Sequence, residues 1–113
     1  MSDKLTINQE PLSDGVLIRV SGDVDFSCSS DLRVRLTEAL DQKIDRLVID
    51  LADVSYMDSS GVAVLVEALR TQHGLGGKLI LCQLQQRVKD IFEISRLHTL
   101  FAITDDTDAA AKV

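Results

Sequence analysis

"RLVIDLADVSYMDSSGVAVLVEALR", residues 46–70, changes its period half-way along. "RLVIDL" is a short, nearly continuous apolar run, the pattern of a strand covered on both faces, and it predicts a central parallel strand. Beyond "DSSG" at 58–61, Val62, Leu65, Val66 and Leu69 recur at spacings of three and four, which lines one face of a helix. The small polar residues between the two runs therefore stand at a helix mouth, where backbone N–H groups lack partners and negative charge is favoured.

The same alternation extends in both directions. Upstream, "KLTINQ" and "GVLIRVSG" flank a turn-rich cluster, "EPLSDG", that holds the single proline, Pro11. Val16, Ile18 and Val20 alternate with Leu17 and Arg19, so the two segments read as a strand pair joined by a short loop. After "SGDVDFS", Leu32, Leu36, Ala39, Leu40 and Ile44 line a helix face, with Ser27, Ser29, Ser30 and Asp31 as caps for its start. Downstream, the glycines of "QHGLGGK" suit a helix end, and "KLILCQL" reads as a further strand. "QQRVKDIFEISRL" puts Val88, Ile91, Phe92 and Ser95 on one face of a third helix, "TLFAIT" is strand-like, and "DDTDAAAKV" opens with N-cap residues of a last short helix. The order implies an α/β fold: one domain over 1–113, with a mixed sheet of about five strands, an initial hairpin, right-handed crossovers and about four helices. Loops at the C-terminal ends of the parallel strands are the favoured places for a site, and "DSSG" is one of them.

Composition narrows the function. An apolar fraction of 45% and a charged fraction of 27% over 113 residues fit one folded, soluble domain. The net charge of −6 argues against nucleic acid, whose affinity is carried by Lys and Arg. No stretch approaches the roughly 18 apolar residues of a membrane span, and "MSDKLTINQEP" lacks the core of a signal peptide, so a cytoplasmic location without membrane insertion is expected. Cys28 and Cys82 lie far apart, and His73 and His98 are isolated; neither pair forms a zinc pattern, and no metal or cofactor is expected.

Four readings of "DSSG" compete. A hydrolase nucleophile elbow needs Gly-x-Ser-x-Gly, but Met57 stands two before Ser59 and Asp58 two before Ser60. A phosphate-cradling loop needs a Walker or Gly-x-Gly-x-x-Gly pattern, and neither is present. In the structural reading Asp58 caps the helix, Ser59 and Ser60 fill its first turn, and Gly61 allows close backbone approach. In the regulatory reading a serine there accepts a phosphate, whose added charge a helix N-terminus tolerates while partners are repelled.

"VIDLADVSYMDSSGVAVLVEAL" closely resembles the signature of the bacterial anti-sigma factor antagonists, which consist of a STAS domain. "VSGDVDFSCSSDLRVRL" is similar to that family's Gly-acid-aliphatic-Asp segment entering its first helix, and "GGKLILCQLQQRVKDIFEISRLHTLFAI" to its final strand, helix and strand. The resemblance implies a switch rather than an enzyme. Its phosphorylated residue carries over to Ser59, with Ser60 as the second candidate; counted at about 100° per residue, Ser60 points further than Ser59 from the Val62, Leu65, Val66 face, so periodicity does not single out Ser59. The implied partners are an anti-sigma factor that is also a serine kinase with an ATP-binding fold, and a PP2C-type phosphatase. Asp23, Asp25, Asp58, Ser59, Ser60 and Gly61 form the expected partner-binding set, although a turn and a helix cap explain Asp23 and Asp25 equally well. The same fold also serves as a constitutive subunit of lipid-transport ATP-binding cassette complexes and as a scaffold in stress-sensing assemblies, which is the alternative function.

Overall fold

The computed structural model describes residues 5–113. In chain order the elements are β1 (Thr6–Leu12), β2 (Gly15–Ser21), α1 (Ser29–Leu40), β3 (Arg46–Asp53), α2 (Ser59–Gly74), β4 (Lys78–Cys82), α3 (Gln86–Ile94), β5 (Ala102–Thr104) and α4 (Thr107–Ala110), with a 3-10 turn at Leu97–Thr99. They build one five-stranded sheet in the order β1-β2-β3-β4-β5. β1 runs antiparallel to β2, and the remaining pairs are parallel.

Alternation along the strands sends side chains to two faces. On one face Val16, Ile18, Val20, Leu47, Ile49, Leu51, Leu79 and Leu81 join Leu32 and Leu36 of α1, Leu65 and Leu69 of α2, and Val88 and Phe92 of α3 in the main core. Phe101 closes it, meeting Phe92 edge to face at 5.4 Å. On the other face Leu17, Val48, Ile80 and Cys82 are covered by Ala110 of the short α4. β3 is thus the central, doubly covered strand that its apolar run predicts, with its first six residues buried. Each such Leu, Ile or Val contributes on the order of 1.5–3 kcal/mol.

Several local expectations shift. Pro11 lies inside β1, opposite Val16, and the hairpin turn is Ser13–Asp14 instead of the whole "EPLSDG" cluster. An edge strand tolerates a residue without an N–H. The expected strand began at Lys4, which lies outside the described residues. The N-cap of α1 is Cys28, whose side chain makes no cap bond, so Ser27, Ser29, Ser30 and Asp31 do not cap it; Ile44 lies beyond the helix end. Strand β5 keeps only the last three residues of "TLFAIT". The buried face of α2 is Gly61, Val64, Leu65, Ala68, Leu69 and Gln72, while Val62 and Val66 are half-exposed. Ser95 is exposed at the end of α3. At α4 the expected cap is present, Asp106 accepting from the Ala109 amide at 2.7 Å. Among the described residues no helix is long and apolar enough to cross a membrane.

Candidate functional site

The site grows out of two neighbouring strand ends. Parallel pairing brings β2 and β3 to the same end of the sheet, and the pairing continues past them as an isolated bridge between Val24 and Met57. The Val24 amide donates to the Tyr56 carbonyl at 3.0 Å, and the Asp58 amide donates to the Val24 carbonyl at 3.0 Å. Val24 and Met57 are both buried, so the bridge is anchored from below by the core. The loop that carries Asp23 and Asp25 is therefore fixed against the loop that carries Asp58.

Asp58 is the N-cap of α2, in an extended backbone conformation. One carboxylate oxygen, Oδ1, accepts from the Ser60 amide at 2.9 Å, the Gly61 amide at 3.3 Å and the Ser60 hydroxyl at 2.6 Å. The other, Oδ2, reaches across to the first loop and accepts from the Phe26 amide at 3.0 Å. The Ser60 hydroxyl, and then the amides of Gly61, Ser60 and Phe26, hold the Asp58 carboxyl below its ordinary value against a smaller opposing effect of desolvation. It is ionised throughout the neutral range.

The two serines differ. Ser60 is half-buried and its hydroxyl is committed to Asp58. Ser59 is exposed, and among the described residues its hydroxyl makes no hydrogen bond. Gly61 faces inwards: a Cβ there would lie 2.7 Å from both Met57 Cγ and Val24 Cγ1, so only glycine lets α2 start this close to the bridge. Beyond Ser59 the outer face of α2 forms an open groove with Val62, Ala63, Val66 and Arg70, all at helical spacing.

Asp23 and Asp25 have separate tasks. The Asp23 Oδ1 accepts from Ser55 Oγ at 3.1 Å, a second tie between the loops. The Asp25 Oδ1 accepts from the Ser27 amide at 2.9 Å, and its carbonyl accepts from the Cys28 and Ser29 amides at 3.1 and 2.9 Å, which starts α1. All six expected residues thus lie on the two joined loops and the first turn of α2. Sequence reasoning leaves out Phe26 and Tyr56, which are 85% and 42% exposed on these loops. Their signal is a lone aromatic in an otherwise polar or small-residue segment, "DVDFSCSS" and "DVSYMDSS".

Among the described residues no side chain is hydrogen-bonded to the Ser59 hydroxyl as a base would be. His73 is in the last turn of α2, some 14 residues or about 21 Å along the helix axis. His98 lies in the 3-10 turn, 3.3 Å from the Phe92 carbonyl. Among the described residues no group of three His, Cys, Asp or Glu could hold a metal ion. Both cysteines are buried. Burial, followed by the nearby Asp50 carboxylate, pushes the Cys82 thiol up to about 12 and keeps it protonated.

An exposed, unbonded serine at the mouth of a helix, on a strand–turn–helix unit of a mixed five-stranded sheet, agrees with the family match, which covers residues 6–110 and is to the STAS domain. The chain belongs to the STAS domain family. This STAS domain is 31% identical over 97 residues to the anti-sigma-B factor antagonist of Bacillus subtilis strain 168, a match that covers 86% of this chain and 88% of that protein. Its fold matches that of an anti-sigma factor antagonist from Mycobacterium paratuberculosis with a TM-score of 0.90 at 20% identity, over 99% of this chain and 95% of that one. SpoIIAA of Bacillus, an anti-sigma factor antagonist, is also similar at 22% identity over 95% of this chain, with TM-scores of 0.73 for its unphosphorylated form and 0.74 for its phosphorylated form, of which 94% and 98% are covered. The STAS domain thus falls within the anti-sigma factor antagonist family, whose members are regulatory, non-catalytic proteins that act through anti-sigma factors.

Proposed function

We propose that this STAS domain is an anti-sigma factor antagonist of the cytoplasm, switched by phosphorylation of Ser59. In the unphosphorylated form it binds an anti-sigma factor that is also a serine kinase with an ATP-binding fold, and the sigma factor is released. The kinase then directs the Ser59 hydroxyl oxygen onto the γ-phosphorus of ATP: the new O–P bond forms, the bond to ADP breaks, and the hydroxyl proton leaves to a base or water in the kinase site. A PP2C-type phosphatase hydrolyses the phosphoserine with water and restores the hydroxyl.

The observation that carries this reading is the difference between the two serines, since only the Ser59 hydroxyl is both exposed and uncommitted. Physical chemistry supports it. A phosphate at the first residue of a helix is favoured by the helix dipole, so the domain stays folded while gaining about −1.5 to −2 charges. That group is placed beside Asp58, with Asp23 and Asp25 on the adjoining loop, and its bulk and bound water crowd a partner surface that fitted the small neutral hydroxyl. Asp23, Asp25, Asp58, Ser59, Ser60 and Gly61 are the proposed contact set.

The test is capture from native lysate on wild type and Ser59→Glu in parallel, with captured proteins identified by mass spectrometry. An ATP-binding kinase retained by wild type and lost with Ser59→Glu is expected. Transporter or scaffold subunits retained equally by both variants would overturn the switch and favour the constitutive binding subunit.

A further inference from the structure

The chain has only four aromatic residues, three Phe and one Tyr. Phe92 and Phe101 pack against each other in the core. The other two, Phe26 and Tyr56, are exposed and stand on the two loops joined beside Ser59. Single exposed apolar residues are common and by themselves mean little; Ile94, also 85% exposed at the end of α3, is one. Phe26 differs in being held. Its amide donates to Asp58 Oδ2, and the next turn is closed by Asp25 through the Ser27 amide. An exposed aromatic on a braced loop binds without first having to be ordered, which is how interface anchors gain affinity.

The surroundings define the partner's chemistry. Residues 20–32 and 47–69, which include both loops and the start of α2, contain no Lys or Arg, while Asp23, Asp25, Asp31, Asp53 and Asp58 are among their acids. We infer that Phe26 is the aromatic anchor of the partner-binding surface, that the partner receives it in an apolar pocket bordered by Lys or Arg, and that Asp58 couples the Phe26 loop to the state of Ser59. This inference rests on the antagonist reading and names the residue and the relay through which that switch works. The Asp58 carboxylate serves both sides at once, Oδ1 on the first-turn amides of α2 and Oδ2 on the Phe26 amide. A phosphate on the adjacent Ser59 competes for the same first-turn amides and repels the carboxylate. When Asp58 shifts, the Phe26 amide loses its acceptor and the anchor loses its brace.

Two measurements test the two halves. Amide hydrogen exchange followed by NMR on the isotope-labelled full chain needs no partner: exchange at Phe26 is expected to accelerate at least several-fold in Ser59→Glu and in Asp58→Ala, with the core amides of β3 unchanged. Unchanged exchange at Phe26 in both variants overturns the coupling. For the anchor, the purified anti-sigma factor of the same organism is titrated with wild type, Phe26→Ala and Ile94→Ala. Phe26→Ala is expected to weaken binding by about tenfold or more, as for other aromatic hot spots, and Ile94→Ala to leave it unchanged. Equal affinity of wild type and Phe26→Ala overturns the anchor while leaving the antagonist reading intact. No binding by wild type overturns that reading, and the anchor with it.

Discussion

The two ends of α2 are both secured by a polar side chain, but in opposite ways. At the N-terminal end the bridging group is the Asp58 carboxylate, a charge at the surface that ties the helix to the Phe26 loop. At the C-terminal end it is Gln72, wholly buried, whose amide nitrogen donates to the Ile44 carbonyl at 3.0 Å and the Lys78 carbonyl at 3.1 Å, just where β3 and β4 begin. Gly77 seals that end: a Cβ there would lie 2.4 Å from Gln72 Nε2. A neutral amide shielded from water is insensitive to salt, pH and neighbouring charge. A surface carboxylate responds to all three. One helix therefore has a fixed end and an adjustable end, and the adjustable end carries the candidate switch.

The contrast is broken most directly at the fixed end. Gln72→Ala removes two buried hydrogen bonds and leaves a cavity, so a loss of about 2–4 kcal/mol is expected in urea unfolding. A loss well under 1 kcal/mol would mean that the C-terminal end is not clamped by this side chain. Next comes Gly61→Val, whose branched side chain would collide with Met57 and Val24. Overpacking of this kind costs about 1–3 kcal/mol, and an unchanged urea midpoint would show that the bridge below α2 yields freely.

At the adjustable end the effect depends on pH. Asp58 has a folded-state value below its unfolded one, which is about 3.9 for an aspartate, so its contribution is present above the unfolded value and is lost as pH falls through the folded one. Asp58→Asn should therefore be less stable than wild type at pH 7 by less than the Gln72→Ala loss, and the gap should close on acidification. A gap that persists undiminished at the lowest pH where the protein folds would locate the effect in packing. Smallest of all is Ser59→Ala, expected to move stability by no more than about 0.5 kcal/mol because its hydroxyl holds nothing in place. A drop larger than 1 kcal/mol on thermal unfolding would make Ser59 part of the helix start.

The strands and helices were legible because their periods differ so clearly, and the doubly buried β3 was legible because "RLVIDL" has no polar alternation to offer a solvent face. The buried stripe of α2 was less so. Val62 and Val66 are more apolar than Gly61 and Gln72, yet the smaller glycine and the amide face inwards, because close approach to Val24 and the two carbonyls at the strand starts decide the rotation of the helix. Hydrophobicity alone does not encode either requirement. Gln72 did leave a trace, a polar residue three positions after Leu69 on a stripe that is otherwise apolar. Around the site, Asp58 was readable from the chemistry of helix starts, whereas its second acceptor role, towards Phe26, depends on a contact 32 residues away in the chain. No local pattern contains that contact.

Pro11 has an effect that reaches beyond the hairpin. The sheet has two outer strands: β1, interrupted by a residue with no amide proton to give, and β5, only three residues long. Neither edge offers another chain a long, regular row of backbone donors and acceptors, the template on which strands from different molecules zip together. Growth of the sheet into fibres or swapped assemblies is thereby discouraged. A binding protein is left to engage side chains and loops, contacts that can be made and undone within one encounter.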